Sequence, residues 1–246
     1  MSGNDLSPYS SGFASIELLP SYGQDVQQKI ADASDIIYDL QQGSLRDDTL
    51  DMLRMAAEQL TVCSLSEFKG RMDRIGLARI LDRADEADRE AERISSELRQ
   101  AYTELCKENV LLDTLKNMIE SSSEELSRVS EALEQYISDI SISEDEKAYA
   151  ALAWQRINDF KLSQMVAARA LALIKDMTAN NSILLERINS LRTNTLVLWR
   201  ANISALKAAP DAKKLEQVCR TENAIGAAIS AIIPRSAAKP FQYPIF

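Results

Sequence analysis

Residues 149–198 have the sequence YAALAWQRINDFKLSQMVAARALALIKDMTANNSILLERINSLRTNTLVL. Along this stretch a stripe of mostly apolar or small side chains recurs at alternating spacings of four and three, the heptad pattern of a helix that buries one face. The stripe contains Tyr149, Ala153, Arg156, Phe160, Ser163, Ala167, Ala170, Ile174, Met177, Asn181, Leu184, Ile188, Leu191, Thr195 and Leu198. Glycine and proline, which interrupt helices, are absent from residues 77–209. The sequence therefore predicts an all-α protein with very long helices.

A second stripe precedes the first and predicts one continuous helix over residues 74–140. Its two registers are Leu77, Leu81, Ala84, Ala91, Leu98, Tyr102, Leu105 and Leu112, then Leu112, Leu115, Ile119, Ser122, Leu126, Val129, Leu133, Tyr136 and Ile140. The change of phase predicts a stammer near Leu112, where a coiled coil overwinds. A break at residues 121–123, where Ser121 and Glu124 would cap a new helix, is the alternative.

Charge predicts that the two long helices pair as an antiparallel hairpin or coiled coil. Residues 113–147 hold ten acidic and three basic side chains, whereas residues 151–214 hold ten basic and four acidic ones. Ser143 and Glu146 form a capping-box signature after the turn at residues 141–143, from which the second helix runs to about residue 208. A turn centred near Ile142 sets Ser122 opposite Ser163, where two small side chains would fix the register.

Shorter elements flank the hairpin. Residues 24–40 and 47–62 each place apolar side chains at helical spacing. We therefore predict four regions: a disordered N-terminal tail over 1–22, short helices over 23–72, the long hairpin over 73–209, and a short helix with a C-terminal tail over 210–246.

The composition excludes several chemistries. The chain has no histidine, so imidazole catalysis and His-ligated metal sites are impossible. Cys63, Cys106 and Cys219 lie far apart in sequence without a metal-binding spacing, and no glycine-rich phosphate loop occurs. We therefore predict no enzymatic activity, no cofactor and no metal. The net charge of −9 argues against binding nucleic acid.

Residues 162–200 resemble the most recognisable segment of the toxic-anion (tellurite) resistance proteins, the TelA-like family. The family's pattern is a Leu-Ser pair, an Ile, an Asn pair, a Leu-x-Glu-Lys-Ile-like run and a Thr-Ile-Pro-Leu-Trp-Lys-like end. The matching residues are Leu162, Ser163, Ile174, Asn180, Leu184, Glu186, Ile188, Thr195, Leu198 and Trp199, with Arg187 and Arg200 in place of Lys. Ala179 and Val197 depart from the pattern, the chain is shorter than typical members, and residues 224–246 do not align. Residues 97–115 resemble the family more weakly through an acidic-Asn step at Glu108 and Asn109.

The resemblance implies a helical, intracellular protein of a resistance system for toxic anions or envelope stress, and it supplies no catalytic residue. Our leading hypothesis is a cytoplasmic scaffold or adaptor that binds protein partners through the signature residues, with membrane contact at most peripheral to the inner membrane. The heptads also allow a homo-oligomer, and Trp199 fits either a partner anchor or a core residue.

Two further hypotheses remain open. In the first, the protein binds an oxyanion through Arg169, Lys175, Arg187, Arg192 or Arg200, or detoxifies tellurite through its thiols. In the second, which the net charge disfavours, residues 224–233 insert into a membrane surface.

Overall fold

The fold is known from a computed structural model, which describes residues 19, 21–42, 49, 51–53, 55, 58, 64–68, 74–139 and 144–232. These residues form helices and contain no strand, which confirms the predicted all-α fold. Most of the predicted N-terminal tail and of the 47–62 helix lies outside the described residues, as do the turn at 141–143 and the C-terminal tail.

Five α-helices account for most of the described chain. They are α1 (Gln24–Gln42), α2 (Arg74–Asp139), α3 (Glu144–Ser190), α4 (Leu196–Ala208) and α5 (Ala212–Ile232). A short 3-10 turn covers Ser66–Phe68, and a π-helical segment, Leu191–Thr195, joins α3 to α4. Because α2 is one helix of 66 residues, the continuous helix is confirmed and the alternative break at residues 121–123 is wrong.

The buried residues of α2 correct the predicted stammer. Apart from Gly76 and Ser130, they follow one unbroken alternation of four and three: Ile80, Ala84, Ala87, Ala91, Ile94, Leu98, Ala101, Leu105, Glu108, Leu112, Leu115, Ile119, Ser122, Leu126, Val129 and Leu133. The predicted first register followed large side chains, Leu77, Leu81 and Tyr102, which are only partly buried. The true stripe passes through small alanines and a buried carboxylate, so no change of phase is needed.

The chain divides into two compact units. Unit 1 contains residues 1–42 and 109–179, and unit 2 contains residues 43–108 and 180–246. Each unit therefore takes one stretch of α2 and one stretch from the chain that follows it.

In unit 1, α1 packs against its stretches of α2 and α3. Val26, Ile30, Ala33 and Ile37 of α1 are buried with Phe160 and Val129, which confirms the predicted apolar face of this helix. Gly23 precedes α1 with a φ of +68°, and a Cβ added there would lie 3.0 Å from the Phe160 ring. Only glycine satisfies both the left-handed backbone and this close approach.

The core of unit 2 contains more buried residues than the core of unit 1 and draws them from α2, α3, α4 and α5. The buried stripe of α2 up to Leu105 packs with Leu184 and Ile188 of α3, with Trp199 and Ile203 of α4, and with α5. Ile225 and Ile229 of α5 are fully buried, so the apolar residues near the end of α5 contribute to this core. The Glu222 carboxylate of α5 accepts hydrogen bonds from the Ser64 hydroxyl at 2.9 Å and the Leu65 amide at 3.1 Å, which ties the short 3-10 turn to the unit.

The two long helices run antiparallel, as predicted. In unit 1 Gln164 of α3 donates a 2.8 Å hydrogen bond to Ser127 of α2, and in unit 2 Asn181 of α3 donates a 2.9 Å hydrogen bond to Glu108 of α2. The predicted pairing of Ser122 with Ser163 is wrong, because the Gln164–Ser127 contact places Ser122 opposite residues near 169. The Ser163 hydroxyl accepts a 2.8 Å hydrogen bond from Gln27 of α1.

Candidate functional site

A buried polar pair interrupts the apolar stripe of unit 2. Asn181 of α3 donates a 2.9 Å hydrogen bond from Nδ2 to Oε1 of Glu108 on α2. Asn181 is 2% exposed and Glu108 is 9% exposed, and the neighbouring stripe residues Leu105 and Leu184 are buried and apolar. Removing a carboxylate from water is costly, so this pair specifies which residues of α2 and α3 lie opposite each other.

The π-helical segment Leu191–Thr195 changes which face of the following helix is buried. A π turn accommodates one residue more than an α turn, and such segments occur often at functional sites. Leu191 is buried, and the next buried residues are Leu196 and Trp199. The sequence predicted Thr195 and Leu198 in the stripe; this prediction is wrong, because the extra residue of the π turn moves the buried face forward by one position.

The rotation buries Trp199 completely. Its side chain is 0% exposed and belongs to the core of unit 2, and its indole Nε1 is buried without a hydrogen-bond partner among the described residues. Trp199 therefore acts as a packing residue, and the partner-anchor interpretation of this side chain does not hold.

The same rotation exposes a short apolar strip on α4, which we call the α4 strip. It contains Val197, Leu198, Ala201 and Ala205, which lie on the side of α4 opposite to Trp199 and Ile203. Val197 is 58% exposed and Leu198 is 54% exposed. Beyond these two side chains the strip carries only methyl groups, so the axis of another helix could approach it closely.

Ion pairs flank the α4 strip in unit 2. The Lys207 ammonium lies 2.5 Å from Asp85 and 3.9 Å from Asp88, and the hydrogen bond to Asp85 raises the pKa of Lys207. Arg200 pairs with Asp88 and lies 3.9 Å from Glu92. Asp85, Asp88 and Glu92 lie before residues 113–147, the acidic segment that the sequence predicts to pair with the basic helix. In unit 1, Lys161 does pair with that segment, because its ammonium lies 3.4 Å from the Glu134 carboxylate.

The signature residues fall into three groups by burial. Leu162, Ser163 and Ile174 belong to unit 1 and the others to unit 2. The buried ones are Ile174, Leu184, Ile188 and Trp199; the partly buried ones are Ser163, Thr195 and Arg200; and the exposed ones are Leu162, Asn180, Glu186, Arg187 and Leu198. Leu162 and Leu198 are thus apolar signature residues that the core of neither unit requires.

The Glu108–Asn181 pair was missed as a contact by sequence reasoning. The sequence pattern places Asn181 in the stripe of α3, but it indicates Glu108 only as part of a family-like step. Both side chains fall on core positions when the α2 stripe is followed through Ala87 and Ala101. The sequence is compatible with that register, but the register assigns core positions to alanines although larger leucine and tyrosine side chains lie nearby.

The described thiols are poorly placed for redox chemistry, and the described carboxylates do not assemble a metal site. Cys219 is buried and Cys106 is half-buried, and neither of these two thiols is in a disulfide bond. No group of three potential metal ligands occurs within the described ranges. Across those same ranges, no helix combines the length and apolar character needed to cross a bilayer.

Comparisons with known proteins identify the family. A search of curated proteins found no match, and a search of solved structures found none either. The family model described as toxic anion resistance protein (TelA) matches residues 14–238, which is most of the chain. The protein therefore belongs to the TelA family of toxic anion resistance proteins.

Proposed function

We propose that this protein contributes to toxic anion resistance as a non-enzymatic cytoplasmic scaffold, which binds a helical partner protein through the α4 strip. Membership of the TelA family supports the resistance role, with tellurite as the characteristic anion. The scaffold role is our inference from the helices and from the surface that they leave exposed.

The observation that carries the proposal is the position of Leu198. This residue matches the family's signature, yet the π-helical segment turns it to the surface while the adjacent Trp199 enters the core. Together with the adjacent Val197, Leu198 forms a small exposed apolar surface that a partner could bury. The methyl-lined surface beside it fits the close approach of a second helix.

The chemical groups of the chain also favour binding over catalysis. The sequence has no histidine, and the carboxylates beside the α4 strip pair with Arg200 and Lys207. These carboxylates are therefore already engaged in contacts between helices.

A resistance assay with matched variants tests the proposal. Cells that lack their own copy of the gene would express wild type, Leu198→Glu or the control Val110→Glu, and growth would be measured against increasing tellurite. Val110 is 69% exposed on α2 in unit 1, so both variants place one charge on an exposed apolar position.

We expect Leu198→Glu to lose most of the resistance and Val110→Glu to keep it, at equal protein levels and unchanged melting temperature. Full resistance with Leu198→Glu would refute the α4 strip as the functional surface.

A further inference from the structure

A cavity in unit 1 contains a largely buried positive charge. The cavity has a volume of about 280 Å³ and is lined by Leu19, Leu152, Gln155, Arg156 and Asp159. Leu19 precedes α1, and the other four residues lie on α3. The space is sufficient for a small ligand and several water molecules, because one water occupies about 30 Å³ in the liquid. We call it the Arg156 cavity.

Two contacts fix the Arg156 side chain at this cavity. Its Nε donates a 2.9 Å hydrogen bond to the backbone carbonyl of Tyr22, and its guanidinium carbon lies 4.8 Å from the centroid of the Phe160 ring. Phe160 is fully buried, so the guanidinium packs on a rigid aromatic face. The Arg156 side chain is only 12% exposed. Its position is therefore set by the fold before any ligand binds.

The other donors of Arg156 are poorly satisfied by the described residues. Nη2 is buried and has no hydrogen-bond partner among them, and Nη1 lies 3.7 Å from the Asp159 carboxylate, which is too far for a hydrogen bond. Burial lowers the pKa of Arg156, and the charge of Asp159 offsets this effect only in part. A guanidinium stays charged at neutral pH, so its burial without acceptors is costly. An oxygen ligand in the cavity would reduce this cost.

Asp159 restricts which anions suit the cavity. Its side chain is 46% exposed and lines the same space as Arg156. This carboxylate repels an oxyanion that has lost all its protons. An oxyanion that retains a hydroxyl group instead donates a hydrogen bond to Asp159, while its charged oxygens accept hydrogen bonds from Arg156. The two side chains together therefore favour a partly protonated oxyanion.

We propose that the Arg156 cavity binds a partly protonated oxyanion, with the chemistry of hydrogen phosphate, between the Arg156 guanidinium and the Asp159 carboxylate. The guanidinium donates to the ionised oxygens, and the carboxylate accepts the hydroxyl proton in a hydrogen bond. Tellurite also retains a proton near neutral pH and shares this chemistry. The site belongs to unit 1 and is independent of partner binding at the α4 strip.

Isothermal titration calorimetry of the purified full-length chain near neutral pH provides the test, in a buffer without either probe anion. Phosphate and sulfate are matched probes, because both are tetrahedral and only phosphate retains a proton at this pH. We expect phosphate to bind at least about tenfold more tightly than sulfate, because it gains one hydrogen bond to a charged group. Tellurite should compete with phosphate, and the tighter of these two identifies the preferred occupant.

Two substitutions separate the roles of the charged side chains. Asp159→Asn removes the repulsion and should raise the affinity for sulfate by about tenfold or more, so that the preference for phosphate is lost. Arg156→Lys keeps a positive charge but removes the planar fork, and should weaken phosphate binding by about tenfold or more. Asp176→Asn makes the same charge change as Asp159→Asn at an exposed position of α3 outside the cavity, and should leave both affinities unchanged.

Three results would overturn the proposal. The chain could show no binding heat with phosphate, sulfate or tellurite, wild type could bind phosphate and sulfate equally, or the sulfate affinity could be unchanged in Asp159→Asn. A gain of sulfate binding cannot arise from partial unfolding, so the test remains decisive even where Arg156→Lys does not fold. Failure here leaves the resistance assay on Leu198 unaffected, because the cavity and the α4 strip lie in different units.

Discussion

Asn181 and Glu108 meet across the long hairpin through a 2.9 Å hydrogen bond, at positions where both stripes are otherwise apolar. A buried carboxylate needs a donor and a buried amide needs an acceptor, and each of these side chains supplies what the other needs. The pair therefore links two distant stretches of sequence and favours this alignment of α2 with α3 in unit 2.

We predict that Asn181→Leu destabilises the protein by about 2–4 kcal/mol, because it leaves the Glu108 carboxylate buried and unpaired. The double variant Glu108→Leu with Asn181→Leu should recover most of this loss, because two leucines suit the surrounding core. Urea unfolding followed by circular dichroism measures both free energies. Additive losses in the double variant would contradict the pairing.

The π-helical segment gives a second prediction, which compares two adjacent residues. Trp199→Ala should cost about 3–5 kcal/mol of unfolding free energy, because it empties a fully buried site. Leu198→Ala should change the same quantity by less than about 0.5 kcal/mol, because the side chain is 54% exposed. Thermal unfolding of the two variants checks this, and equal losses would mean that the buried face is not rotated as described.

The start of α5 supplies a pH-dependent prediction. The Lys214 amide donates a 2.8 Å hydrogen bond to the Asp211 carboxylate, which lowers the pKa of Asp211 below its ordinary value of 3.8. A lowered pKa in the folded state means that the ionised cap stabilises the fold above pH 3.8. This stabilisation is lost as the pH falls through the folded-state pKa.

Asp211→Asn is the matched variant for this cap, since it keeps the shape and removes the charge. We expect a lower melting temperature than wild type near neutral pH and a difference that shrinks below pH 3.8. A difference that is independent of pH down to strong acid would contradict the contribution of the charged cap.

The cysteines distinguish the scaffold from a thiol-based detoxifying protein. Cys219 is 1% exposed, and a thiolate must be accessible to reduce an oxyanion. We predict that the triple variant Cys63→Ser, Cys106→Ser and Cys219→Ser retains tellurite resistance. Because a serine at the buried position 219 lowers the stability of the protein, resistance is compared at equal amounts of folded protein. Resistance that disappears while the protein remains folded would favour direct thiol chemistry instead.

Much of the fold can be predicted from patterns in the sequence. The heptad stripe of α3, the absence of glycine and proline over residues 77–209 and the capping signals predict two long antiparallel helices, and both are present. The predicted stripe of α2 is wrong where the most apolar side chains in the sequence are not the ones that the packing buries. Leu77, Leu81 and Tyr102 are larger than Ala87 and Ala101, yet the smaller residues occupy the core because helices pack closely there.

The candidate site was less accessible to sequence reasoning for a similar reason. A π turn has no simple sequence signature, so the stripe was extended through Thr195 and Leu198. Within the fold, the size of Trp199 favours burial, and the extra residue in Leu191–Thr195 is what brings it to the core. The exposed position of Leu198, on which the proposed function rests, is a consequence of this rotation.

The proposed function requires that the α4 strip binds a partner protein. The most direct measurement is quantitative mass spectrometry of proteins that co-purify with tagged wild type, Leu198→Glu and Val110→Glu from native cells grown with and without tellurite. We predict a partner that is retained by wild type and Val110→Glu and reduced at least about tenfold by Leu198→Glu, because a central hot-spot contact would be lost. Identical sets of co-purifying proteins in all three samples would contradict partner binding at the α4 strip.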